Sequence, residues 1–289
     1  GYNKNGDPMS MAENSWQQFI QTGRVADYLK YKEEERQEGH EQYHQRTSDT
    51  EQTTGENDRL VTLLTADHGL VRAFVRGGKQ LKNRRAAATS LFCYGEFALY
   101  RGRDAYTVDS AAPIEVFFGL RQDIDRLAAA QYFAQLSYEL AAEEQPAPEL
   151  LRLLLNTLHL LCKGTKPLVQ IKAVFELRAL SISGYMPNIL ACANCGTYET
   201  PVMYFDVDGG CIYCENCPKA GAVAVPKTVM TAVRYICLTE PGRIFGFALS
   251  PEQMALLGRV TEQYTLRRLD RRFTTLEFYK SLQAGDTTT

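Results

Sequence analysis

The sequence predicts an α+β protein in which a small antiparallel β-barrel or sheet precedes a mainly helical region with an inserted cysteine-rich segment. Three observations lead to this prediction. Short runs rich in Val, Thr, Tyr and Phe lie between residues 60 and 110, separated by glycine-containing turns. From about Glu115 the apolar residues recur with a helical period. Five of the eight cysteines then fall within residues 192–217.

Composition limits the classes of protein that the chain can represent. Its 289 residues suffice for two or three domains of roughly 100–150 residues each. A net charge of −2 excludes a bulk polycation, so a nucleic-acid surface would need local clustering of basic residues. No apolar run reaches the roughly 18–20 residues of a membrane span, and no secretory signal pattern is present. We therefore expect a cytoplasmic protein, in which paired cysteines favour metal binding over disulfides.

The chain divides into four predicted parts. Residues 1–54 are predicted to be an extraneous, disordered leader with one short helix over Ser15–Tyr31, because Lys32–Thr54 holds a single apolar residue, Tyr43. Residues 55–113 form the predicted β-domain, and residues 114–282 form the helical domain with the cysteine segment at 185–225. The tail at 283–289 is predicted to be disordered.

The predicted strands and helices follow from local patterns. The β-domain holds four runs that are typical of strands, at Leu60–Thr65, Leu70–Val75, Leu91–Tyr100 and Ala105–Ser110. Apolar repeats predict three helices before the cysteine segment, around Ile124–Leu136, Leu150–Leu161 and Val169–Leu180. Two further helices are predicted after it, at Lys227–Leu238 and at Pro251–Leu282, the second with Ser250 as N-cap.

The cysteine segment contains two Cys-Xaa-Asn-Cys pairs, Cys192–Cys195 and Cys214–Cys217. Two such pairs separated by about 18 residues are typical of a four-cysteine zinc site. Cys211 competes for a place, since Cys211-Ile-Tyr-Cys214 is also a CxxC motif, but the repeated Asn favours Cys217. Buried free thiols and an iron–sulfur cluster are the alternatives. No histidine lies in the segment, which favours a closed structural site over a catalytic one. The isolated cysteines 93, 162 and 237 are interpreted as small core residues.

A basic stretch follows the second predicted strand, with six basic residues and no acidic one between residues 72 and 85. Its members are Arg72, Arg76, Lys79, Lys82, Arg84 and Arg85. Strand alternation places Arg72, Phe74 and Arg76 on one face, where spaced cations could contact a phosphate backbone. A merely solvated charged face is the competing interpretation, and Phe74 itself is interpreted as a core residue.

A second cluster, on the last predicted helix, is interpreted as solvated surface, with Arg267 and Arg271 on one helical face and Arg268 and Arg272 on another. The sequence also gives little indication of a catalytic site. The sequence contains no phosphate-binding GxxxxGK[ST], GxSxG, HExxH or dinucleotide-binding fingerprint, so we expect no enzymatic activity.

Four stretches carry a resemblance to a known family. They are GENDRLVTLLTADHGLVRAFVRGGK at 55–79, GYMPNILACANCG at 184–196, DGGCIYCENC at 208–217 and LRRLDRRFTTLEFYKSL at 266–282. Together they resemble RecO, the bacterial DNA repair and recombination mediator family. The departure is at the front, where residues 44–54 stand in place of the apolar first strand of the family.

The resemblance implies an OB-type β-barrel, here lacking its first strand, and a helical domain with one structural Zn²⁺. It implies binding of single- and double-stranded DNA, annealing of complementary strands, and location with the bacterial nucleoid. It also implies two partners, RecR and the C-terminal tail of single-stranded DNA-binding protein, in loading RecA. The DNA-binding role carries over to Arg76, Lys79 and Lys82, and more loosely to Arg72, Arg84 and Arg85. A zinc-stabilised protein–protein adaptor with little DNA affinity is the alternative, and a metal-dependent nuclease is a more distant one.

Overall fold

The computed structural model describes residues 58–76, 87–102, 106–217 and 219–285. The predicted leader lies outside these residues, as do residues 286–289 of the predicted tail, whereas residues 283–285 belong to the last helix. The described part of the chain contains six α-helices and two four-stranded sheets. It forms two compact units, one comprising the residues up to 117 with 142–152, the other comprising 118–141 with the residues from 153 onward. None of the described helices is long and apolar enough to cross a membrane.

The first unit is built on a sheet whose four strands match the predicted runs. The strands are β1 (Arg59–Thr65), β2 (Gly69–Val75), β3 (Cys93–Arg101) and β4 (Tyr106–Val116). Their order is β1-β2-β4-β3, with β1 and β3 at the edges of the described sheet. The described strands thus form an open sheet, and a closed OB-type barrel stays a prediction.

One aspect of the predicted sheet was wrong, because the pairing is not antiparallel throughout. Strand β4 inserts between β2 and β3 and runs parallel to β2, with Phe74 opposite Thr107. The pairs β1–β2 and β3–β4 are antiparallel. Strand β4 therefore follows a crossover past β3 instead of a simple meander.

One face of this sheet forms the core of the first unit. Ala73, Val75 and Val108 are buried, with Val61 and Leu99 among the partly buried residues that pack against them. Burial alternates along β2, so successive side chains point to opposite faces of the sheet, as the pleat requires.

The six helices are α1 (Ile124–Leu140), α2 (Pro148–Lys163), α3 (Leu168–Ile182), α4 (Lys227–Leu238), α5 (Pro251–Leu269) and α6 (Thr274–Gly285). The predicted N-cap of α5 is confirmed. The Ser250 hydroxyl accepts a hydrogen bond from the backbone N–H of Gln253, and the Gln253 side chain accepts one from Ser250 in return.

The prediction of one continuous helix over Pro251–Leu282 was wrong. Helix α5 ends at Leu269, and Asp270 follows it in the left-handed conformation with φ 47°. Asp tolerates this conformation better than most residues with a Cβ atom, so it can terminate a helix where glycine is absent. The break allows Phe273 to become buried before α6 begins.

A buried ion pair lies in the middle of the second unit, between Lys172 and Glu176 of α3, at 2.8 Å. Their side chains are 6% and 0% exposed. Lys172 also contacts Glu262 of α5 at 2.8 Å. The Glu176 carboxylate accepts hydrogen bonds from Tyr132 of α1 at 2.8 Å and Thr261 of α5 at 2.7 Å. This network joins three helices, and it gives both carboxylate oxygens of Glu176 a hydrogen-bond partner.

The charges of this network shift the pKa values of its members. Burial by itself would lower the pKa of Lys172, but the carboxylates of Glu176 and Glu262 outweigh burial and raise it. Burial would likewise raise the pKa of Glu262, but Lys172 and Lys280 outweigh burial and lower it. Both groups are therefore held in their charged forms at neutral pH.

We expect Lys172→Met to reduce the free energy of unfolding by about 3–5 kcal/mol, because it leaves the Glu176 carboxylate buried without its cation. Lys280→Met is the matched control. Lys280 also contacts Glu262, at 2.5 Å, but its side chain is 57% exposed, so its loss should cost less than about 1 kcal/mol. Urea denaturation followed by circular dichroism measures both values. Equal losses in the free energy of unfolding would contradict the prediction that the buried lysine contributes more than the exposed one.

Candidate metal centre and nucleic-acid interface

A second sheet, inserted between α3 and α4, carries the cysteine segment. Its strands are β5 (Asn188–Cys192), β6 (Val202–Asp206), β7 (Cys211–Cys214) and β8 (Val223–Pro226), in the order β5-β7-β6-β8. Helix α4 packs against this sheet. Buried side chains on β6 and β7, among them Phe205 and Ile212, anchor the sheet. Just before β7, Gly210 adopts φ 63°, a left-handed conformation that glycine adopts without strain.

Each pair of cysteines lies on a tight turn. In the first, the backbone N–H of Gly196 donates to the carbonyl of Cys192 at 2.9 Å, with Gly196 at φ 75°. In the second, the backbone N–H of Cys217 donates to the carbonyl of Cys214 at 3.0 Å. Turns of this kind bring the two sulfurs of a CxxC motif to one side.

The structure brings the predicted ligand cysteines together. The sulfurs of Cys192, Cys195, Cys214 and Cys217 all lie within 4.8 Å of one another. The sulfurs of Cys195 and Cys214 are 3.5 Å apart. Such a group of four sulfurs is able to bind a metal ion.

Cys211 lies outside this group. It is on the same strand as Cys214, but the two residues are three positions apart, an odd offset, so their side chains point to opposite faces. The burial pattern of β7 agrees, with Ile212 and Cys214 buried and Cys211 and Tyr213 half-buried. Geometry therefore favours Cys217 over Cys211.

Hydrogen bonds prepare the sulfurs for a cation. Burial would raise the pKa of Cys192, but backbone N–H groups of Cys195, Cys214 and Asn194 donate to its sulfur and lower the pKa to about 6. The Asn194 side chain donates to the Cys217 sulfur at 3.3 Å. By contrast, burial raises the pKa of Cys214 to about 11. A cation bound by all four sulfurs would displace the remaining thiol protons.

The isolated cysteines lie outside the group of four sulfurs. Cys237 is buried, which agrees with its interpretation as a core residue, whereas Cys93 and Cys162 are half-buried. Burial raises the pKa of both Cys93 and Cys237 to about 11, so these side chains remain thiols at neutral pH.

Arg234 of α4 binds the backbone on both sides of the first cysteine turn. Its buried guanidinium donates to the carbonyls of Ile189 at 2.8 Å and Tyr198 at 2.6 Å, on either side of the turn. It also lies over the Tyr198 ring, 4.3 Å from the centroid, and contacts the Glu199 carboxylate at 3.5 Å. Arg234 was not among the residues predicted from the sequence. The sequence feature that could have indicated it is a lone arginine in the otherwise apolar run AVRYICL.

The described part of the basic stretch comprises the end of β2 and Arg76, which directly follows the strand. Arg72 and Arg76 are exposed, and Phe74 is half-buried between them, while Val71, Ala73 and Val75 are buried. The predicted alternation is confirmed. The interpretation of Phe74 as a core residue was wrong, because the core lies on the other face of the sheet.

The remaining predicted DNA-binding residues, Lys79, Lys82, Arg84 and Arg85, lie outside the described residues. Within the described part, the Nε of Arg72 contacts a carboxylate oxygen of Glu143 at 3.4 Å, with both side chains more than half exposed. An exposed pair of this kind is weak and can be exchanged for another anion.

The second arginine cluster was predicted on one helix, but Arg271 and Arg272 follow the end of α5. Their predicted sharing of helical faces with Arg267 and Arg268 was therefore wrong. Arg267 contacts Asp208 at 3.0 Å, and Arg271 contacts Glu139 at 3.2 Å. Arg268 lies over the Tyr264 ring, 5.2 Å from its centroid. Arg267 and Arg271 are exposed, which agrees with the interpretation of the cluster as solvated surface, whereas Arg268 is half-buried.

Comparison with known proteins adds two matches to family models. Residues 121–277 match the C-terminal domain of recombination protein O, and residues 50–117 match its N-terminal domain.

Individual relatives are also similar. The DNA repair protein RecO of Acetivibrio thermocellus is 36% identical over 234 residues, covering 80% of this chain and 93% of that protein. The DNA repair protein RecO of Alkaliphilus metalliredigens is 30% identical over 231 residues, covering 79% and 94%. That of a Dehalococcoides mccartyi strain is 34% identical over 185 residues, covering 63% and 72%.

The geometry of the four sulfurs predicts different effects for two neighbouring cysteines. We expect Cys211→Ala to keep its bound metal and Cys214→Ala to lose it, because only Cys214 contributes to the group. Elemental analysis of the purified variants measures this. Hydrogen exchange should show that the metal-free variant loosens residues of about 185–225 and spares the helices. The opposite metal contents would move the ligand assignment to Cys211.

Proposed function

The chain belongs to the RecO family of DNA repair proteins, and from this premise we propose that it is a non-catalytic, DNA-binding mediator of recombinational repair. It binds single- and double-stranded DNA in the bacterial cytoplasm and anneals complementary single strands. With RecR it assists RecA loading on DNA coated by single-stranded DNA-binding protein. The observation that carries the proposal is that Arg72 and Arg76 are exposed on one face of the first sheet, with half-buried Phe74 between them. In the sequence, four further basic residues follow within nine positions.

The basic residues suit a phosphate backbone for an electrostatic reason. Each phosphate that a cation neutralises releases condensed counterions, which favours binding at moderate salt concentration. Arg72 and Arg76 are exposed on one face, and Lys79, Lys82, Arg84 and Arg85 follow with no acidic residue among them in sequence. A net charge of −2 for the whole chain means that this local excess, and not the total charge, supports DNA binding.

We further propose that the four-sulfur group holds one structural Zn²⁺. Four cysteine ligands fill the tetrahedral coordination that zinc prefers, so no position remains for a reactive water. The ion would join the two cysteine turns, and Arg234 supports the first of them from α4. An iron–sulfur cluster is the alternative, and elemental analysis of the purified protein separates the two.

For partners we propose RecR and the acidic, apolar-ended tail of single-stranded DNA-binding protein. A tail of this kind needs exposed apolar side chains beside a free cation. Phe118 and Ile124 are 53% and 56% exposed, and the Arg121 guanidinium lies 5.6 Å from the Phe118 ring centroid. This patch suits the tail better than the arginines near the end of α5, two of which contact carboxylates. The same patch supports the second candidate function, a zinc-stabilised adaptor with little DNA affinity.

Replacing Lys79 and Lys82 by Ala tests the phosphate contacts. We expect weaker binding of all single strands alike, and a log–log salt slope flatter by about 1.4, at about 0.7 per contact. Fluorescence anisotropy over a salt series measures the slope. The matched control is the double change Lys163→Ala and Lys166→Ala, which removes the same charge from the helical region. An unchanged slope in the first variant would mean that these lysines are only solvated.

The pair Arg72–Glu143 predicts a gain of affinity. Glu143→Gln removes the anion that competes with phosphate for Arg72, so single-strand affinity should rise, by up to about fivefold for an exposed pair of about 1 kcal/mol. Glu144→Gln is the matched control, because it removes the same charge from the neighbouring residue, which contacts Arg101 at 2.9 Å. Anisotropy titrations compare the two variants. Equal gains would indicate a general charge effect and would count against an Arg72–phosphate contact.

A further inference from the structure

We propose that Phe74 and Tyr100 form a two-ring platform that stacks unpaired bases of single-stranded nucleic acid. The platform lies on the outer face of the first sheet, the face opposite the core. The inference rests on the proposed DNA binding and extends it, because it assigns base contacts in addition to phosphate contacts.

The strand register places the two rings on one face. Phe74 of β2 pairs with Leu60 of β1 and with Thr107 of β4. Tyr100 of β3 pairs with the same Thr107. Directly paired residues in a sheet point to the same side, so Leu60, Phe74, Thr107 and Tyr100 form one row across the four strands.

This row faces away from the core. The adjacent row contains Val61, Ala73 and Tyr106, all of which belong to the core cluster. Ala73 is 0% exposed, whereas Leu60 is 44% and Tyr100 is 69% exposed. A large apolar ring that is more than two-thirds exposed on a strand contributes little to the stability of its own sheet, which leaves its surface available for a ligand.

The spacing suits separate bases. Neighbouring strands lie about 4.8 Å apart, so the Cα atoms of Phe74 and Tyr100, two strands apart, are separated by about 10 Å. Thr107, with a small side chain, pairs with both residues and lies between them. Base–aromatic stacking of this kind is tolerant of sequence.

The charges beside the row favour nucleic acid as the occupant. Arg72 lies two residues before Phe74 on β2, on the same face and about 7 Å away, and the exposed Arg76 directly follows the end of the strand. Asp109 lies on that face too, and Glu143 contacts Arg72, so the face is not uniformly basic. Rings between spaced guanidinium groups match a chain that alternates bases with phosphates. A duplex does not fit the rings, because its bases are already stacked and paired.

A strand with and without bases tests the platform. Anisotropy titrations would compare an oligothymidine with an abasic strand of equal length and charge. We expect the unmodified protein to prefer oligothymidine, and Phe74→Leu and Tyr100→Thr each to lose about tenfold in oligothymidine affinity. Both variants should bind the abasic strand and a DNA duplex as the unmodified protein does. Tyr100→Phe, which keeps the ring, should retain affinity. Tyr138→Leu, at an exposed tyrosine of α1, is the matched control.

The outcomes separate the platform from the proposed function. If the unmodified protein bound both strands equally, or if Tyr100→Thr kept its oligothymidine affinity, the platform would be overturned and phosphate binding would stand. That result would also be expected if the rings served a protein partner. Absence of binding to any strand or duplex would overturn the proposed function together with the platform. Circular dichroism verifies that each variant is folded. Tyr100→Phe removes only the hydroxyl and therefore tests the ring without removing it.

Discussion

The helical unit depends on the burial of one carboxylate, that of Glu176, which has no exposed surface. A buried charge of this kind is costly unless every oxygen is paired, and here Lys172, Tyr132 and Thr261 supply the partners. The partners come from α1, α3 and α5. These helices can therefore not shift relative to one another without leaving a polar group unpaired. Apolar packing alone would permit small displacements, because it has no preferred direction.

The same helices determine where the cysteine segment lies. Arg178 of α3 donates to the carbonyl of Cys237 at 2.6 Å and that of Ile236 at 3.2 Å, which are among the last carbonyls of α4. Helix α4 in turn presents Arg234 to the first cysteine turn. Helices α3 and α4, together with these hydrogen bonds, thus connect the buried ion pair with the backbone beside the first cysteine turn. The position of the candidate metal centre is a property of the helical unit as much as of the cysteine segment.

Local patterns predicted much of this structure. The four strands, the helix Lys227–Leu238 and the four grouped cysteines follow from periodicity and spacing. The break at Asp270 could not be predicted in this way, because LRRLDRRF contains no glycine or proline and its helical propensity is continuous. The helix breaks at this position because Phe273 becomes buried in the tertiary structure.

The outward position of Phe74 was hidden for a different reason. Both faces of β2 carry apolar residues, and only the pairing with β4 shows which face is the core. The Lys172–Glu176 ion pair and the contacts of Arg234 likewise could be identified only from the tertiary structure. A charged residue in an apolar run indicates a buried partner but does not identify that partner.

The carbonyl contacts of Arg234 have a consequence for the speed of metal exchange. They hold the backbone on both sides of the Cys192–Cys195 turn through protein groups alone. In a metal-free protein whose cysteine segment is loosened, these contacts would keep the two ends of the first turn close together and so shorten the search for a binding conformation. Loading of such a site is limited by local closure and not by refolding of the whole chain, so a protein stripped of metal should recover it quickly when the ion is returned.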